Sequence, residues 1–161
     1  MMLWLPLTLA AGMITWFGPM QDPAPAPRPT PAPAAVAAST DLDKLQGRWQ
    51  CTAWRFDGRD NPERAKVLES SYEGNRITLW TEGQEYRHGL VTLDPERTPK
   101  AMNTWDLDGP AADETNRGIY QLDGDTLKVC IVLDRSMDRP AEFTSEPGSN
   151  RLLITYQRRK P

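Results

Sequence analysis

The chain of 161 residues has one histidine, His88, set between Tyr86-Arg87 and Gly89. An imidazole acts as a general base only beside a nucleophile or an orienting group. No serine sits in a G-x-S-x-G turn, and nothing in the spacing pairs His88 with a cysteine. Its alternation with Tyr86 turns it inward on a strand, so a core or solvated histidine is the simpler assignment. Asp106-x-Asp108-Gly109, with Asp113-Glu114 beyond, has the acidic density of a calcium loop. The spacing of such a loop fails, because the glycine comes too early and a ligand is missing. An acidic turn in solvent fits better. Cys51 and Cys130 are far apart and form no C-x-x-C, and one histidine cannot complete the usual zinc set. Both are expected to be free thiols, although export would permit a bridge. With 22 Asp+Glu, some carboxylate pair meets glycosidase spacing by chance, so that pattern carries no signal. No Gly-rich phosphate loop occurs. No catalytic residue, metal ligand or cofactor is assigned.

Charge adds little. The chain carries 19 Lys+Arg against 22 Asp+Glu, a net charge of −3, with the two signs interspersed. There is no basic stripe for nucleic acid and no long like-charge block. Nucleic acid is not an expected partner.

The elements that position these residues begin late in the chain. Residues 1–21 are almost wholly apolar and carry no charged side chain. They are long enough to cross a bilayer core, but Pro6, Gly12 and Gly18-Pro19 interrupt them. A basic start and an adjacent small-x-small cleavage site are both lacking. A cleaved signal peptide, an uncleaved membrane anchor, and a wrongly placed start or a cytoplasmic protein all stay open; the first two, which are favoured, place the domain outside the cytoplasm, in the periplasm or at the cell surface. Leu9-Ala10-Ala11-Gly12-Met13 has the form of a lipoprotein box without its cysteine, so lipidation is not expected. Membrane contact is expected only through residues 1–21, if they are retained. Residues 22–40 are a Pro/Ala-rich linker that cannot bury a core; in polyproline II they span about 50 Å. Residues 41–161 remain as the folding unit. A unit of that size needs neither metal nor disulfide to fold.

That unit reads as β. Strands are expected at 48–56, 75–81, 84–93, 101–107, 117–122, 126–133, 142–144 and 151–158, punctuated by Asp57-Gly58, Glu82-Gly83, Asp94-Pro95, Asp108-Gly109-Pro110 and Asp123-Gly124-Asp125. A short helix or lid is expected over 61–71, opened by Pro62. About eight short strands with such turns give an antiparallel sandwich or barrel. Alternation puts Trp49, Cys51 and Ala53 on the inner face with Ile77 and Leu79. It leaves Trp54 and Trp80 outside, packed under the lid or marking a contact surface.

Four stretches together resemble a known family. These are Leu45-Gln46-Gly47-Arg48-Trp49; Gly89-x-x-x-Leu93-Asp94-Pro95 with Pro99-Lys100-Ala101-Met102; Gly118-Ile119-Tyr120-x-Leu122-Asp123-Gly124-Asp125-Thr126-Leu127-Lys128-Val129-Cys130; and Arg139-Pro140-x-x-Phe143-x-Ser145-x-Pro147-Gly148-Ser149. They are similar to an uncharacterised domain family of planctomycete bacteria that often follows a signal peptide. The resemblance covers nearly all of 45–158 and implies a lipocalin-like β-barrel with no established activity. Asn103 stands where that family carries an acidic residue. Gly47-x-Trp49 also resembles the opening strand of lipocalins, in which a tryptophan at the closed end packs beneath a basic residue of the last strand. Arg158 or Arg159 would supply the cation. Gly47, Trp49 and Arg158 are therefore taken as the barrel-closing set.

The sequence thus implies an all-β, antiparallel lipocalin-like barrel of about eight strands, with a short helical segment after the first. No nucleophile–base constellation appears, so a non-enzymatic binding module is favoured. It would hold a small apolar ligand in the barrel or a cell-envelope protein on its surface. A hydrolase of unknown substrate and an accessory domain with a filled barrel are the alternatives. An interior void of roughly 300 Å³ or more would mark ligand binding, and a filled interior would mark surface contact.

Overall fold

The computed structural model describes residues 41–109 and 114–160; the apolar segment 1–21, the linker 22–40 and Asp113 lie outside the described residues. Among the described residues, no helix is long and apolar enough to cross a membrane. A helical turn at residues 41–45 (α1) leads into β1 (Gly47–Phe56). Then come β2 (Arg59–Asp60), α2 (Pro62–Val67), β3 (Leu68–Glu73), β4 (Arg76–Thr81) and β5 (Gln84–Asp94). β6 (Ala101–Asp106), β7 (Thr115–Asp123), β8 (Thr126–Val132) and β9 (Arg151–Arg158) complete the order.

From β3 onward each strand pairs antiparallel with the next, and β1 pairs with both β3 and β9. The result is a closed eight-stranded barrel, with β2 as a two-residue spur on the end of β1. Closure leaves those eight strands without a free edge. The turn into β2 places Asp57 and Gly58 at φ 50° and 80°, the mirror-image geometry that suits right-twisted strands.

Two segments depart from the sequence expectation. Leu68–Glu73, read as the end of a lid, is strand β3. Its inward residues are Leu68, Ser70 and Tyr72, and the serine at an inward position masks the alternation. Residues 142–144 form no strand. They belong to a strap, residues 133–150, that crosses the outer wall.

A bulge corrects the facing of β1. Cys51 opposes Tyr156, but Ala53 opposes Thr155 and Trp54 opposes Ile154. The extra residue leaves Thr52 and Ala53 both exposed and turns Trp54 inward. Ala53 is therefore not a core residue, and Trp54 packs against the interior cluster with Arg64 of α2 5.7 Å from its ring centre. Trp80 does face out, yet it lies neither under a lid nor bare. Arg48 sits 4.1 Å over its ring, and its indole donates to Ser71 Oγ at 3.1 Å.

The barrel has two apolar layers. Trp49, Val91, Met102, Tyr120, Leu127 and Val129 are among the buried residues filling the inside. Ala101, Ile119, Cys130 and Val132 face outward and are equally buried, beneath the strap. Pro140 and Ser145 of the strap are fully buried.

Candidate functional site

One end of the barrel is plugged. Trp49 is fully buried, and its indole N–H donates to Leu45 O at 2.8 Å. The Arg158 guanidinium lies 4.1 Å from the ring centre of Trp49. It donates to Gln46 O at 2.5 Å, to Lys44 O, and to Asp125 Oδ1 at 3.1 Å. Gly47, at φ 102°, lets the chain turn tightly past Arg158. The structure thus brings Gly47, Trp49 and Arg158 together; Arg159 points elsewhere and pairs with Glu69 at 2.8 Å. Beside the plug, Asp41 accepts from Lys100 Nζ at 2.7 Å and from Tyr120 Oη at 2.8 Å. Burial alone would raise the Asp41 carboxyl, but those two hydrogen bonds and the nearby lysine charges outweigh it and hold the group below its ordinary value.

The other end opens into a cavity of about 110 Å³. Its walls are mainly aliphatic and aromatic, with Ile77, Leu79, Met102, Val129, Leu152 and Ile154 among them. Arg87, Asp106 and Asn116 form its polar corner. The strand registers put all three inside: Arg87 opposes Leu79, Asp106 opposes Gly89, and Asn116 opposes Thr104. Gly89 is required where it stands, because a Cβ there would meet Trp105 O at 2.6 Å and the Ile77 side chain at 3.1 Å. Deeper in, Ser70 is fully buried and its Oγ makes no well-formed hydrogen bond among the described residues. Burial pushes the nearby Tyr72 and Tyr156 phenols up, with Ser70 only partly countering it. Both phenols stay neutral and can offer a hydrogen bond to a polar atom in the cavity.

The residues that sequence singled out for chemistry are dispersed. His88 does not face inward: it opposes Thr78 on the outer wall, and its side chain is 41% exposed. The bulge in β5, where Leu79 opposes Arg87 but Trp80 opposes Glu85, breaks its alternation with Tyr86. Its Nδ1 lies 2.6 Å from Asp108 Oδ2 and its Nε2 lies 3.3 Å from Glu85 Oε2. Those hydrogen bonds, Asp108 first, raise the imidazole above its usual value and lower Asp108 in turn. Asp106 and Asp108 point to opposite sides of the wall, so the acidic run is not one site. Among the described residues, no three His, Cys, Asp or Glu side chains are arranged to hold a metal ion. Cys51 faces inward and Cys130 outward, and both are buried free thiols. Burial pushes the Cys51 thiol up to about 11, so it is protonated and unreactive at neutral pH.

The motif residues of the sequence are spent on scaffold. Arg139 fastens the strap through Met102 O at 2.7 Å, Gly118 O at 2.5 Å and Asn103 Oδ1 at 2.8 Å. Ser145 donates to Arg151 O at 2.7 Å, and Gly58 admits Pro147 where a Cβ would meet it at 2.6 Å. Gln46 clamps Gly74 through N–H and C=O contacts of 2.7 and 3.0 Å. Sequence gives no sign of the polar corner, because Arg87 and Asn116 carry no motif and Asp106 falls in an acidic run that reads as a solvent turn.

Fold and site together define a closed antiparallel barrel, plugged at one end and holding a small apolar cavity toward the other. Scans of protein-family models, of curated proteins and of solved structures give no match to the chain.

Proposed function

We propose that this chain is an exported, non-enzymatic binding module that takes a small apolar group into the open end of its barrel. The observation that carries this reading is the interior cavity of about 110 Å³, walled by apolar side chains with one polar corner. It falls short of the roughly 300 Å³ void that would mark a site for a whole drug-sized ligand; that expectation is not met, and only a smaller group fits. It is close to the ~150 Å³ apolar cavity that accepts benzene or xenon. The occupant is therefore a group of about six non-hydrogen atoms, or the end of a longer molecule whose remainder stays outside. Export through residues 1–21, with 22–40 as spacer, places such a module at the cell envelope. Titration with benzene, followed by amide and methyl NMR, tests this. Shifts confined to residues such as Val129, Ile131 and Ile154, abolished in Ile131→Phe, support it; an unperturbed interior contradicts it.

A second reading, a cell-envelope protein docked on the outer wall, is favoured by a shallow groove where Leu90 opposes Trp105. Leu107, at its rim, is 37% exposed. Benzene shifts gathered at those residues instead of the interior would favour it.

A further inference from the structure

Asp106 is a largely buried carboxylate with loose pairing. Its side chain is only 13% exposed, yet it lines an apolar cavity. A carboxylate so placed ordinarily needs close, complete pairing. Here Asn116 Nδ2 reaches Oδ2 at 3.4 Å, and Arg87 Nη1 stays 3.6 Å from that same oxygen. The first is a long hydrogen bond and the second is beyond hydrogen-bond range. Among the described residues, Oδ1 accepts no side-chain hydrogen bond, and the Arg87 guanidinium donates none. Among the described residues, the corner therefore offers a buried acceptor and, on the partly exposed Arg87, donors that no protein group takes up, side by side with their charges balanced.

Resting on the reading of the cavity as a binding site, we propose that its occupant carries a neutral head that both donates and accepts hydrogen bonds, the chemistry of a primary carboxamide on a short alkyl chain. Its N–H groups meet Asp106, its carbonyl meets Arg87, and its chain runs toward Met102, Val129 and Ile154. A carboxylate head would face Asp106, and an ammonium head would face Arg87. Either leaves one like charge opposed beside the buried Asp106, whereas the carboxamide opposes none.

Calorimetric or NMR titration of the full chain at pH 7 with pentanamide, pentanoate and pentylammonium tests the assignment. Pentanamide is expected to bind about tenfold tighter than either ion, the ratio for one charge-assisted hydrogen bond. Asp106→Asn keeps the shape and leaves the Arg87 charge uncompensated, so its preference should move to pentanoate. Arg87→Gln should move it to pentylammonium. Equal affinities, or an ion preferred by the unaltered chain, would overturn the head-group assignment while benzene binding kept the cavity reading intact. Failure of benzene and all three probes together would overturn both.

Discussion

The Arg158 guanidinium closes the barrel over Trp49, 4.1 Å from its ring centre, while donating to the carbonyls of Lys44 and Gln46. One side chain thus ties the last strand to the segment that enters the first. Arg158→Lys keeps the charge but loses the planar fork, so it should cost about 1–2 kcal/mol. Trp49→Ala should cost about 3–5 kcal/mol through the void it leaves. Urea unfolding measures both, and an unchanged midpoint for Arg158→Lys would show that the fork is idle.

Cys51 and Cys130 face opposite sides of the same wall, so they cannot bridge without inverting a strand register. Alkylation under denaturing, non-reducing conditions should label both. In the native protein Cys51 should label slowly at pH 7, being buried and shifted to about 11. Absence of label after denaturation would contradict the register.

His88 should titrate above its ordinary value of 6.5, because Asp108 and then Glu85 stabilise its charged form. Its pKa is higher in the folded chain than in the unfolded one. The stabilisation is therefore complete below about pH 6.5 and is lost as pH rises through the folded value. NMR titration of the imidazole should show the raised value, and Asp108→Asn should lower it. A His88 value at or below 6.5 in the unaltered chain would refute the pairing.

The strap hangs on Arg139, whose contact with Asn103 Oδ1 is 2.8 Å. Asn103→Asp would make that contact an ion pair and should stabilise the chain by up to about 1 kcal/mol near neutral pH, a gain lost on acidification. Arg139→Ala should cost about 1–3 kcal/mol and speed alkylation of Cys130, which lies beneath the strap with its Sγ 3.4 Å from Thr144 O. Unchanged Cys130 labelling would show that the strap holds without its anchor.

The barrel was legible because inside and outside are written at period two between turn residues such as Asp57-Gly58 and Glu82-Gly83. What sequence hid were departures from that period. A bulge at Thr52 reverses Trp54, another in β5 reverses His88, and the inward Ser70 disguises β3. Outward Ile119, Cys130 and Val132 gave no warning of the strap, because covering an outer face is a tertiary event. The polar corner joins Arg87, Asp106 and Asn116 from three strands, and no local pattern links them.

Xenon is the most direct probe of the central claim, since it senses a dry apolar space without regard to head group. A structure determined under xenon pressure, or xenon-dependent methyl shifts, should place one atom among Met102, Val129 and Ile154 in the unaltered chain and none in Ile131→Phe. An interior untouched by xenon, with the gas only on the outer wall, would contradict a binding cavity.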